Sequence, residues 1–462
     1  MATAPQPPKS NTLASIAAGV AVFVVVAGTF KGLTFLPGAW RDAMPQLPGD
    51  GKQIYPIPPA LPPLAEADNA RGLLTTAGSN LTGEPDFSLL QKRPLPDMNG
   101  FIEANAKFVN DNLARLDALT AARAKAGLRM TVPGDAPGAY QQTWQACYNL
   151  NNLGYIAFET YMRGAHPDNA AKVAGGLIAM DGRLRASQRE GYNPALQGVY
   201  GISGLATSFR RHRVLFMKAE TPTLTALLAD LNAAAAARTP IEALTVDQRE
   251  FLVRSWQHLP EEAAADPKTY KLAASGFDRF LLWYVAARSG DATFDRFRGI
   301  FDRTVTAVGT RDFATLRQAR AGIKWGLPSP LYWGGIEPAD FRLMALLHPV
   351  EGSLAMCLNA GAVGEQVYNL LKGDADLDAW RAQVAMELYR RANNKPPADL
   401  AALVPTYLPA VPADPFLPEQ PLHFANEHMW SVGPDGHDDG GRRGDATVVD
   451  PLNLEAGVDI FL

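Results

Sequence analysis

The chain has 462 residues, a formal net charge of -4 and a charged fraction of 19%, long enough to bury substantial cores in several domains. Acids slightly outnumber bases, so the basic footprint that holds nucleic acid is missing and no nucleic-acid partner is expected. Two cysteines cannot frame a cysteine zinc site, and the seven histidines form no HxH or HxxxH pair, which removes the common signatures of a zinc or iron centre. In an oxidising compartment Cys147 and Cys357 can pair and close a long loop; two separate buried thiols are the plainer reading.

The first twelve residues are polar and proline-rich, and from Leu13 to Phe30 the chain runs eighteen residues without a charge. That length is near the lower limit for a helix that crosses a bilayer, and Leu33, Phe35 and Leu36 carry the apolar character towards Trp40, an interfacial residue type. Residues 1–36 are therefore read as a leader and single transmembrane signal-anchor. The alternative is a cleaved secretory signal, with Val26-Ala27-Gly28 as the small-residue site. No Cys follows, so a lipoprotein anchor is excluded. Residues 37–68 are rich in Pro and Gly, which favours an extended, semi-stiff spacer between membrane and body; Trp40, Ile54, Tyr55 and Ile57 would equally let it dock as a strap.

Residues 69–373 read as a helical domain. Periodicity begins near Pro96, with Phe101, Ile102, Phe108, Val109, Leu113, Leu116 and Leu119 on one face and Asn105 as a polar interruption. Further helices are expected at Tyr140–Gly164, Asp168–Gln188, Pro194–Lys218, Pro222–Ala237, Thr245–Gln257 and Ser353–Leu371, each bounded by capping or breaking residues. No strict repeat signature occurs, so the expectation is an irregular array of helical hairpins. The run Arg210-Arg211-His212-Arg213 reads as a solvated face paired with nearby acids such as Glu190 or Glu220, or as a patch for anionic head groups. Glu250, Arg254 and His258 have the spacing of side-chain pairs on one helix face. The aromatic loop Trp325–Pro338 is a binding surface if exposed and a plug between helices if buried.

Gly373-Asp374 marks the expected border to a last segment, 374–462, which opens on a polar amphipathic helix, Asp376 to Asn393. Asp435, Asp438, Asp439, Asp445 and Asp450 then fall among Gly433, Gly436, Gly440, Gly441 and Gly444. Glycines allow the positive φ angles of a tight loop, and crowded carboxylates repel one another unless a hard cation such as calcium relieves them. The spacing is not that of an EF-hand, because counting from Asp435 puts Ala446 where the bidentate Glu belongs. The alternative is a solvated acidic turn countered by Arg442 and Arg443.

The order YLPAVPADPF, PLHF and WSVGPDGHDDGG resembles the C-terminal region of the major pseudopilins of type II secretion, over about fifty residues. The resemblance implies a small α+β module ending in a calcium site, with ligands from the Val432 carbonyl and from Asp435, Asp438 and Asp439; Asp445 would complete the set. The chain lacks a prepilin-peptidase site, so a borrowed C-terminal module is expected rather than a pilus subunit. The whole chain also resembles a broad set of membrane-anchored bacterial envelope proteins that join helical hairpins to this ending.

The expected fold is mainly α: one N-terminal transmembrane helix, an irregular helical-hairpin array and a small C-terminal pseudopilin-like module. The expected role is non-enzymatic, a structural or interaction protein in the bacterial inner membrane, its body facing the periplasm, with a protein partner in the envelope and structural calcium. The alternatives are a component of a type II secretion or pilus-like assembly, and a metal-assisted hydrolase with His437 or Glu427 as its base.

Overall fold

A computed structural model describes residues 64–86, 98–130, 139–186, 192–238, 240–241, 306–314, 316, 360–425, 427–442 and 460–461. The apolar run Leu13–Phe30, the linker up to residue 63, the helix expected at Thr245–Gln257, the loop Trp325–Pro338, Cys357 and Asp445 lie outside these residues. The described part is mainly helical, with a small strand region at the C-terminal end. Among the described residues no helix is long and apolar enough to cross a membrane.

The helices are α1 (Arg71–Ser79), α2 (Met98–Asn112), α3 (Asp117–Arg123), α4 (Ala139–Arg163), α5 (Pro167–Ala186), α6 (Tyr192–Phe216), α7 (Thr221–Ala236) and α8 (Ala360–Asn393). The boundaries of α4 to α7 follow the sequence signals closely. Pro222 sits in the first turn of α7, where its missing N–H costs nothing, and Glu220 before it is extended. Two differences stand out. Helix α1 was not anticipated, because nine residues are too few for a clear period. It is secured by contact: a Cβ at Gly78 would lie 2.1 Å from the Ala146 carbonyl oxygen, so the two backbones touch and only glycine fits. The helix expected to run on from Pro96 instead stops at Asn112, passes through a 3-10 turn at Leu113–Leu116, and resumes as α3. Asn favours such interruptions because its amide competes for backbone groups, and Asn112 does so here.

Helix α5 lies at the centre of the array, packing on α3, α4, α6 and α7. The close approach rests on small residues: Gly154 of α4 lies under Leu177, Gly176 under Leu119, and Gly182 against Ala234. Leu150, Leu153, Ile156, Leu177, Ile178, Leu205, Phe209, Leu224 and Leu231 form the shared core, all buried. Burial of such side chains stabilises by roughly 1.5–3 kcal/mol each before entropy is counted.

Helix α8 runs unbroken through Gly373-Asp374, so the border placed there falls inside a helix of 34 residues. Glycine in a helix costs about 1 kcal/mol, and packing overrides it: every residue from Ala375 to Ala385 is buried. Trp380 stacks on Phe209 of α6 at 5.2 Å and meets Phe216 edge-on at 6.3 Å. The segment was expected to be a polar amphipathic helix, yet its polar residues Asp376, Asp378, Arg381 and Gln383 are inside.

After α8 the chain makes a 3-10 turn at Leu400–Leu403, whose first N–H groups are capped by Asp399. Among the described residues five short strands follow: β1 (Ala413–Asp414), β2 (Leu417–Pro421), β3 (His423–Ala425), β4 (His428–Ser431) and β5 (Ile460–Phe461). β1 and β2 pair antiparallel, and a separate antiparallel sheet has the order β3-β4-β5. The register sets His423 opposite Trp430 and Trp430 opposite Phe461. Almost all described residues, strands included, belong to one compact unit.

Candidate metal loop and its supports

β4 delivers the chain to Val432, which is buried, and then to a 3-10 turn at Gly433–Asp435. Gly433, Gly436, Gly440 and Gly441 take φ from 69° to 78°, the left-handed conformation that glycine adopts without strain. The loop is therefore wound as tightly as its composition suggested. His437 N donates to Asp435 Oδ1 at 3.1 Å and Gly440 N to Asp438 Oδ1 at 2.9 Å, two local turns of the kind Asp favours.

Asp438 is held by the sheet. Its Oδ1 accepts from Trp430 Nε1 at 2.8 Å, and its Oδ2 lies 3.1 Å from His423 Nδ1, while the His423 and Trp430 rings stack at 5.6 Å. The Trp430 N–H holds the Asp438 carboxyl below its ordinary range, helped by Gly440 N and the two nearby histidines and opposed by slight burial. Asp435 and Asp439 are part-buried and His437 is exposed. The set of oxygen donors suits calcium rather than zinc. A cation would have to share Asp438 with Trp430 and His423, and among the described residues no group of three or more His, Cys, Asp or Glu side chains is gathered closely enough to hold a metal.

One residue that supports the loop escaped sequence reasoning. Asp414, the acid of the DPF segment, is fully buried and accepts from Phe416 N at 2.9 Å, Ser431 Oγ at 2.7 Å and Val432 N at 2.9 Å. It ties β1 to the end of β4 and fixes the point where the acidic loop begins. The signal was present, since an acid before Pro in an otherwise apolar run needs donors, but nothing in the sequence said where they would come from.

The basic run on α6 is a set of cross-braces. Glu159 of α4 is fully buried and accepts from Ser208 Oγ at 2.5 Å, Arg211 at 3.2 Å and His212 Nε2 at 3.0 Å. Arg210 reaches Asp376 of α8 at 2.7 Å, and Lys372 meets the other Asp376 oxygen at 2.7 Å. Burial alone would raise the Asp376 carboxyl, but Lys372 and Arg210 outweigh it and hold it below its usual range. Arg213 lies 3.8 Å from Glu427, an exposed residue of the β3–β4 turn. Among the described residues the partners are thus Glu159, Asp376 and Glu427 rather than Glu220, and Glu190 lies outside those residues. Beyond α7, Arg238 bonds Asp378 at 2.6 Å and approaches Asp374 at 3.4 Å; burial would lower its pKa, and these two acids raise it instead. Three further contacts fasten the last segment to the array: Asn232 Nδ2 to Tyr407 O at 3.1 Å, Arg391 to Met217 O at 2.6 Å, and Arg311 Nε to Pro415 O at 3.1 Å.

Cys147 is a free, fully buried thiol, pushed up to about 12 by burial and by the Asp181 charge. Comparison with known proteins gives no match: no family model fits the chain, and no curated protein or solved structure is significantly similar to it.

Proposed function

We propose that the chain is a membrane-anchored, extracytoplasmic interaction protein of the bacterial envelope, in which a braced helical array holds a small sheet and an acidic loop that takes structural calcium. The supporting observation is the use made of buried charge. Glu159 and Asp376 each join two helices, Asp378 joins α8 to the chain just past α7, and Asp414 joins two strands. Ionisable groups placed this way fix the geometry of the elements they join. The anchor rests on the uncharged run Leu13–Phe30. Calcium rests on the glycine-wound loop, where the Val432 carbonyl, Asp435, Asp438, Asp439 and Asp445 would hold the ion and the ion would neutralise their repulsion.

A second reading, a part of a type II secretion or pilus-like assembly, is favoured by the order of a long helix followed directly by a small sheet. Burial of Ala375 to Ala385 within the array speaks against that helix serving as a filament core.

The anchored reading is tested by fractionation. An alkaline carbonate wash should leave the full chain in the membrane pellet, and protease added to spheroplasts should digest its body. A chain that washes off, or a body protected until the membrane is broken, overturns the placement.

A further inference from the structure

Asp230 is the only charged residue on α7. Its carboxylate lies over Gly175 of α5, where a Cβ would come within 2.5 Å of Oδ2, so only glycine leaves it room. Arg123, the last residue of α3, grips both oxygens, Nε to Oδ1 at 3.2 Å and Nη2 to Oδ2 at 2.5 Å. The pair is largely enclosed, the arginine side chain 27% exposed and the aspartate 14%. Arg183 of α5 lies near enough for its charge to act on the same carboxylate, but it commits its donors to main chain: Nη1 to Ala179 O at 2.9 Å, Nη2 to Arg123 O and Lys125 O at 2.9 and 2.8 Å.

The turn that Arg183 holds is the seat of the segment that leads into α1. Gly127 O accepts from Ala70 N at 2.9 Å, Gly127 N donates to Asp68 O at 3.2 Å, Lys125 Nζ donates to Ala67 O at 2.7 Å and Arg129 N donates to Asn69 Oδ1 at 3.1 Å. Residues 67–70 and 123–129 thus form one entry unit, and the Arg123–Asp230 pair fastens it to α7. Two residues further on, Asn232 of α7 holds the last segment at Tyr407 O.

Burial pushes the Asp230 carboxyl up to about 6, although Arg123 and Arg183 pull the other way. Burial also holds Arg183 below its usual range, with Asp230 opposing and the like charge of Arg123 adding to the shift. The carboxylate is therefore the counter-charge that lets two guanidiniums share this space. Once protonated, it gives Arg123 a neutral acceptor in place of two charge-assisted bonds and stops cancelling the repulsion between the arginines. Arg123, the more exposed member of the pair, then turns to water. A buried Asp230 without Arg123 holds its proton more tightly still, so acid favours the open arrangement.

We propose that Arg123 and Asp230 form an acid-opened latch, closed at neutral pH and released in mildly acidic surroundings, which sets how firmly α7 is held to the entry unit. Opening is not unfolding. Because the folded carboxyl binds its proton more tightly than the unfolded one, its contribution to stability is full below about pH 4 and is lost as pH rises through about 6. The fold gains while the latch lets go.

The test compares the purified full chain at about pH 7.5 and about pH 5, on either side of the Asp230 value. NMR follows the Asp230 carboxyl carbon, and amide exchange, corrected for the intrinsic rate at each pH, follows Ala124, Lys125 and Gly127. Wild type should titrate at Asp230 near pH 6 and lose about fivefold protection at these amides on acidification, the difference between a charge-assisted and a neutral bond. Asp230→Asn, which keeps the shape without the charge, should show the lower protection at both pH values. An Asp230 carboxyl that titrates below about pH 4 overturns the proposal without recourse to any variant. So does wild-type protection that is equal at both pH values, or an Asp230→Asn protein that keeps the wild-type drop. Neither membrane nor calcium enters these measurements, so their failure leaves the anchored reading standing.

Discussion

Replacing Asp414 probes the support beneath the acidic loop. The side chain is fully buried and accepts three hydrogen bonds, from two backbone N–H groups and the Ser431 hydroxyl. Asp414→Ala leaves all three donors facing a void. Hydrogen bonds to a charged acceptor contribute about 1.5–3 kcal/mol each, and the losses are not additive, because Ser431 can rotate. A total of about 3–5 kcal/mol follows. Asp414→Asn keeps the oxygen that serves Phe416 and Ser431 and turns a donor towards Val432 N, so its cost should be about 1–3 kcal/mol. Native-state hydrogen exchange on the full chain resolves the two: the Phe416 and Val432 amides should lose protection in Asp414→Ala, and chiefly Val432 in Asp414→Asn. An Asp414→Ala protein that keeps protection at both amides and loses less than about 1 kcal/mol in urea unfolding would refute the role assigned to this residue.

Arg238→Ala should destabilise by about 3–5 kcal/mol, because it strips Asp374 and Asp378 of a buried partner, whereas Arg213→Ala, on a long exposed pair, should cost under about 1 kcal/mol; urea unfolding of both separates the cases. Asp376 and Glu387 titrate below their ordinary values in the fold, so they stabilise it above the unfolded carboxylate range and lose that contribution as pH falls from about 4 through their folded values. The melting temperature should therefore drop steeply below about pH 4, and Asp376→Asn should flatten the drop; an unchanged profile would contradict the pairing. Cys147 should resist iodoacetamide in the native protein at pH 8 and react on unfolding, followed by mass spectrometry of its peptide; rapid native labelling would show that the thiol is not enclosed.

The helical array was legible because it follows local rules. Trp144, Cys147, Leu150, Leu153 and Ile156 repeat at helical spacing, and Pro222 marks a start, so α4 and α7 could be bounded from sequence. The interior of α8 was not legible. Asp376, Asp378 and Arg381 carry the composition of a solvated face, and only tertiary placement of Arg210 and Arg238 lets them be buried. The same non-local pairing hid the roles of Glu159, Asp414, Asn105 and Asn112, whose distant partners lie between 17 and 53 residues away. At the acidic loop, composition foretold the left-handed glycines but not that Trp430 and His423 would engage Asp438, because cross-strand register decides which side chains the loop meets.

Calorimetry of the purified full chain with and without calcium tests the account most directly. Saturating calcium at about 100 times its dissociation constant should add about 2.7 kcal/mol to the unit that binds it. A chelator should lower the melting temperature, added calcium should restore it, and the Asp438→Ala, Asp439→Ala double variant should melt low and ignore both treatments. A wild-type melt indifferent to chelator and calcium alike would contradict the account at its centre.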